Sequence, residues 1–187
     1  MSIFSYLIDI IASLYVIVLL LRLLLQWVGA DFYNPLSQGI VQLSAPVTNP
    51  LAKVVPSAGA FYGPALVAAI LVSWLSLILL ASLSGGLTLR VLPILLIPAL
   101  LKMLFLLVDI YFWGIFIVVI SSWVGTQSYP MVRIVAQVME PYLGLFRRII
   151  PPLGMLDLSP LVAILVLGVI KQKLLPMLYD YVVRLLT

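Results

Sequence analysis

Between Leu87 and Val124 lie 38 residues that are apolar almost throughout. One α-helix of that length would reach about 57 Å, against a bilayer core of about 30 Å. The stretch must therefore divide, and a soluble core would not hold it. Hydrophobic residues make up 65% of the chain and charged residues 9%, whereas a soluble domain is about a quarter charged. The 187 residues suffice for about four membrane spans with short connections. With no cysteine, there is neither a disulfide framework nor thiol chemistry. The first apolar run lacks a basic flank and is too long for a signal peptide, so it reads as a retained membrane helix.

An internal repeat shows where the long stretch divides. A shift of 96 places Trp27 on Trp123, and a shift of 95 places Asn34-Pro35 on Tyr129-Pro130. The second shift also places Pro46 on Pro141, Lys53 on Arg148, Pro56 on Pro151 and Gly59 on Gly154. The first repeat is then 1–84, with spans at about 3–28 and 65–83 and a surface segment at 34–63. Residues 85–97 form an inter-repeat linker. The second repeat is 98–187, with spans at about 98–124 and 160–178 and a surface segment at 129–159. The predicted fold is all-α and integral to the membrane. It has four transmembrane helices in two parallel repeats, each running helix, amphipathic surface hairpin, helix.

The surface segments carry the densest chemistry. Glu140 to Pro160 reads EPYLGLFRRIIPPLGMLDLSP. Prolines 141, 151, 152 and 160 predict breaks, because each lacks an N–H and restricts the residue before it. A short helix over Pro130–Glu140 and a second over YLGLFRRII are expected. In the first repeat, Asn34 caps a short amphipathic helix over Pro35–Ala45, and a degraded copy of the arginine segment follows at Pro46–Pro64. Arg147 and Arg148, flanked by leucine, phenylalanine and isoleucine, suit contact with anionic headgroups at acyl-boundary depth, and Lys53 stands at the Arg148 position. Asp157 is placed to cap the fourth span, and Glu140 and Asp157 are exposed candidates for partner binding.

Charges within the spans are the usual pointers to transport. If Trp27 and Trp123 mark one interface, Arg22 lies about 7.5 Å below it and Asp109 about 21 Å, which argues against a direct pair. Asp9 at about 27 Å and Lys102 at about 31 Å approach the opposite face. Asp9, Arg22 and Lys102 are read as snorkelling side chains. Asp109 snorkels poorly and requires either a structural partner or a polar pathway.

The tryptophans, the NP and YP pairs, RRIIPPLG, DLSP and the aliphatic helix that follows resemble the YggT family of small membrane proteins, in two copies covering nearly the whole chain. The second copy carries Glu140, Pro141, Arg147, Arg148, Pro151, Gly154, Asp157, Ser159 and Pro160. The first departs from it at Ala45, Ala52 and Tyr62, which stand at the Glu140, Arg147 and Asp157 positions. The resemblance implies an integral protein of the bacterial inner (plasma) membrane. Bacterial members are linked to osmotic-stress tolerance and potassium uptake, and some lie among cell-division genes. Plastid relatives are linked to haem attachment in cytochrome b assembly and to nucleoid distribution.

No enzyme is expected. Without His or Cys the common zinc sites, His-based triads and thiolate nucleophiles have no ligands or bases, and there is no P-loop or dinucleotide turn. No cofactor or metal is called for. Dispersed basic residues point away from nucleic acid and toward anionic lipid, with self-association or other membrane proteins as further partners. Two functions remain. One is a membrane scaffold or assembly and stress-tolerance factor. The other is a component of an ion channel or transporter, potassium-linked through the resemblance.

Overall fold

Four helical runs in the computed structural model are long and apolar enough to cross a bilayer: Ile3–Trp27, Gly63–Leu83, Val91–Val124 and Ser159–Arg184. The structure describes residues 2–150 and 157–186. The first run is α1 (Ile3–Trp27), followed by amphipathic α2 (Pro35–Leu51) and the second run, α3 (Gly63–Leu83). The third run comprises a short α4 (Val91–Ile94) and a long α5 (Leu96–Val124). Amphipathic α6 (Pro130–Ile149) comes next. The last run comprises α7 (Ser159–Val169), a π-helical stretch Ile170–Leu174 and α8 (Leu175–Leu186). All the regular elements described are helical.

Local chemistry explains the boundaries. Ser2 accepts a hydrogen bond from Ser5 N and caps α1. The Asn34 side chain accepts from Leu36 N at 2.9 Å, with Pro35 in the first helical turn of α2, where its missing N–H costs nothing. At the end of α5, Gly125 takes the left-handed conformation (φ +76°) that terminates many helices.

Three expectations need correcting. The amphipathic helices do not stop before their prolines: α2 runs through Pro46 and Pro50, and α6 through Pro141. Each proline removes one backbone hydrogen bond, and packing against neighbouring helices compensates, as in other membrane helices. In α2, Thr48 Oγ1 donates to Ser44 O at 3.0 Å and Tyr15 OH to Leu43 O at 3.2 Å, both close to Pro46. In α6, the residue after Pro141 is tied down on both sides. Tyr142 OH donates to Ala163 O at 3.2 Å, and its ring meets Tyr111 at 5.7 Å. Second, the inter-repeat linker contains α4, held to α3 by the Trp74 indole N–H donating to Leu92 O at 2.9 Å; α5 starts at Leu96, not Pro98. Third, the last helix continues past Leu178 to Leu186. Pro151, Pro152 and Gly154 lie outside the described residues.

Small residues set the closest packing. Val16, Leu19 and Leu20 of α1 pack on Ala68 and Ala69 of α3, all buried, the close approach that membrane helices achieve with small side chains. In the second repeat, Gly114 of α5 faces Met139 of α6 so closely that a Cβ would overlap the thioether. The repeats meet along α3–α5, α1–α5 and α2–α6. There Asn34 Nδ2 donates to Pro130 O at 2.9 Å, and Gln137 Nε2 to Val28 O and Gly29 O at 3.2 and 3.3 Å. Asn34 thus caps its own helix with its oxygen and binds the start of the other repeat's helix with its nitrogen.

Candidate functional site

Two ion pairs cross between helices inside the spans. Lys102 Nζ lies 2.6 Å from Asp9 Oδ1 and 3.4 Å from Ser76 Oγ, joining α5 to α1 and α3. Lys102 and Asp9 therefore face each other instead of snorkelling separately to the interface. Lys171 Nζ lies 2.6 Å from Asp109 Oδ1 and joins the π-helical stretch to α5. The ammonium also sits over the Phe112 and Trp113 rings at 5.3 and 6.0 Å. That approach lies outside hydrogen-bond geometry, because Asp109 Oδ1 is a buried atom without a hydrogen-bond partner. The contact is an ion pair reinforced by cation–π attraction. The extra residue in a π turn rotates the helix face, and Lys171 belongs to that stretch.

Beside Asp109 a cleft of about 350 Å³ opens between the repeats. Its first-repeat wall includes Leu21, Leu25 and Ile40, and its second-repeat wall Ile110, Trp113 and Val138. Among the described residues Asp109 is the one charged residue lining it. The rest of the wall is hydrocarbon.

At the end of α6 three sequence-predicted residues come together. Arg147 donates from Nε to Asp157 Oδ2 at 3.0 Å and from Nη1 to Glu140 Oε2 at 2.5 Å. Asp157 Oδ1 accepts from Ser159 N at 3.0 Å, so this carboxylate also caps α7. Burial would raise the Asp157 carboxyl; the Ser159 hydrogen bonds and the adjacent guanidinium outweigh it and hold it below its ordinary value. Burial would likewise lower Arg147, and the two carboxylates outweigh that and raise it. Arg147 is the bolt of a clasp joining α6 to the head of α7. Arg148 is exposed and borders a crevice with Trp27, Gln137, Glu140 and Leu145. Lys53, its repeat counterpart, is exposed after α2. Trp27 and Trp123 are 57% and 79% exposed at the ends of α1 and α5, as interfacial anchors would be.

Arg22 stands apart. Its guanidinium lies over the Phe32 ring at 5.0 Å and the Tyr62 ring at 4.6 Å, and Nη1 donates to Gln26 Oε1 at 3.4 Å. Among the described residues it forms no ion pair.

Sequence reasoning missed both pairings, although the signal for each was present. Asp9 and Lys102 sit at similar depths. Lys171 lies 12 residues into its run from Ser159, about 18 Å, close to the about 21 Å of Asp109 from Trp123.

Comparison with known proteins adds the following. The family described as CCB3/YggT matches residues 1–83 and 97–178, a double match whose starts lie 96 apart and ends 95 apart. The chain is 42% identical over 168 residues to an uncharacterized protein of Pseudomonas aeruginosa, covering 89% of this chain and 85% of that one. It is 34% identical over 172 residues to the uncharacterized YggT of Escherichia coli K12, covering 92% and 89%. A 49-residue segment is 43% identical to chloroplastic YlmG homolog protein 2 of Arabidopsis thaliana, covering 26% of this chain and 20% of that protein. No solved structure matches.

Proposed function

This chain belongs to the CCB3/YggT family, and on that premise we propose that it is a non-enzymatic membrane scaffold, an assembly and stress-tolerance factor of the inner membrane. One observation carries the reading: Asp9 and Asp109, the carboxylates of the first and third spans, are each matched to a lysine from another helix. A paired intramembrane charge fastens helices together, whereas a conducting path needs polar groups turned toward water. The inter-repeat cleft, with hydrocarbon along nearly all of its wall, supports the same reading. In this account the bundle is a frame that holds α2 and α6 side by side. Arg148 and Lys53, exposed and outside the Arg147 clasp, contact anionic headgroups there, each contributing about 1 kcal/mol of attraction.

The second reading, an ion channel or transporter component linked to potassium and osmotic stress, is favoured by one feature. Asp109 lines the cleft, and its ion-pair partner Lys171 lies on a π-helical stretch. The purified protein reconstituted into potassium-loaded liposomes separates the two readings. A scaffold leaves potassium efflux at the level of protein-free vesicles. Efflux above that level, reduced by Asp109→Asn in protein that still folds, would replace the scaffold reading with the transport one.

A further inference from the structure

In the first three spans the charges are matched at Asp9–Lys102 and, with Lys171 of the fourth, at Asp109–Lys171, whereas Arg22 has no such match among the described residues. We propose that Arg22, with the amides of Gln26, Gln38 and Gln42, forms a binding site for a phosphate group in the crevice between α1 and α2. The crevice is lined by those four residues together with Phe32 and Val41.

The geometry of the guanidinium favours an anion there. The guanidinium carbon stands over the Phe32 and Tyr62 rings, and the Tyr62 side chain also makes a polar contact with it, which leaves further N–H donors of the five. Gln26 takes one donor from Nη1 and so fixes the plane. A guanidinium is the side chain best suited to bind phosphate with two hydrogen bonds. Nearby acid does not neutralise the charge. Asp31, next to Phe32 in the chain, has its Oδ1 accepting from Tyr33 N at 2.9 Å. Tyr62 stands where the second repeat has the carboxylate Asp157.

Position selects the ligand further. Arg22 lies about 7.5 Å along α1 from Trp27, so an interfacial tryptophan sets it just below the headgroups. Gln38 and Gln42 are exposed on α2; the Gln38 amide donates weakly to Tyr33 O at 3.5 Å, and an amide N–H₂ has a second donor for a phosphate oxygen, as the Gln42 amide also has. A lipid phosphate diester and a free phosphate share this chemistry. The inference holds whether the protein is a scaffold or a channel, since it concerns neither the paired charges nor the cleft.

The test uses the full chain, delipidated in detergent and titrated with phosphatidylglycerol, diacylglycerol or inorganic phosphate, with bound ligand counted by native mass spectrometry. Phosphatidylglycerol should bind at one site more tightly than diacylglycerol. Arg22→Gln should weaken that site about tenfold. Inorganic phosphate that fails to compete assigns the site to lipid, and phosphate that competes assigns it to the free anion. If Arg22→Gln does not fold, Gln38→Ala/Gln42→Ala, at exposed positions, must weaken binding severalfold. Equal binding of diacylglycerol and phosphatidylglycerol, or undiminished binding by folded Arg22→Gln or by the glutamine double variant, would overturn the proposal.

Discussion

The two repeats place a cation beside the residue that leads into their second span, and they treat it in opposite ways. In the second repeat the cation is Arg147, from the amphipathic helix, and Asp157 and Glu140 neutralise it. In the first, Ala52 and Ala45 occupy the positions of Arg147 and Glu140, and Tyr62 that of Asp157. The cation there is Arg22, from the span itself, stacked on Tyr62. The tyrosines that fasten the amphipathic helices follow the same logic. Tyr15 reaches the α2 backbone directly, while its repeat counterpart Tyr111 stacks on Tyr142, which bonds α7 instead. The frame is duplicated and the chemistry is not. The second repeat is closed by its own counter-charges; the first leaves a cation for something else.

The comparison breaks most sharply at Gly63. A Cβ there would run into the Pro56 carbonyl and the Val55 side chain, whereas the same position in the second repeat is Leu158. Gly63→Val should therefore cost about 3 kcal/mol or more through a backbone clash, measured as lost thermal stability in detergent. Leu158→Val should cost much less.

A smaller effect is expected from making the first repeat resemble the second. Tyr62→Asp places a carboxylate beside Arg22 and should stabilise the loop by up to about 1 kcal/mol, the range for a partly exposed pair. It should also reduce the excess of phosphatidylglycerol over diacylglycerol binding to the level of Arg22→Gln. Stability and lipid binding that both stay at wild-type levels would mean that Arg22 and residue 62 do not form one site.

Smallest is the pH response of the Arg147 clasp. A carboxyl lowered by folding stabilises the fold above its unfolded value of about 3.9. That contribution is lost as pH falls through the lower folded value. Between pH 6 and 8 the clasp should be constant, and below about pH 4 wild-type protein should lose up to about 1 kcal/mol more than Asp157→Asn. A difference between the two that instead varied from pH 6 to 8 would place the titration elsewhere.

How much of this could be read from the sequence varies with the kind of information involved. The four spans and their duplication follow from length and repeat register, because bilayer thickness fixes helix length. The cap at Asp157 followed from its place two residues ahead of Ser159. The course of α2 and α6 through Pro46, Pro50 and Pro141 was not legible, since a proline states its local cost and not the tertiary packing that offsets it. Depth along a helix is legible from the 1.5 Å rise, which is why Asp9 and Lys102 came out level. Which face each side chain takes depends on neighbouring helices, so pairing was hidden. For Lys171 the face also depends on a π turn that no residue pattern announces. The carboxylate pair around Arg147 was hidden for the same reason: Glu140 and Asp157 lie 17 residues apart and meet only because α6 runs unbroken to Ile149.

The central claim, that the intramembrane charges are fastenings, is tested most directly by a double-mutant cycle on Asp109 and Lys171. Removing one partner strands the other charge in a low-dielectric setting, and a buried pair broken this way loses about 3 kcal/mol. Asp109→Asn and Lys171→Met should each lower the unfolding midpoint in detergent. Combining them should recover most of the loss, because nothing charged is left unpaired. Recovery in the double variant, with liposome potassium efflux at background throughout, is the result predicted here. Single variants as stable as wild type, or losses that simply add in the double variant, would contradict it.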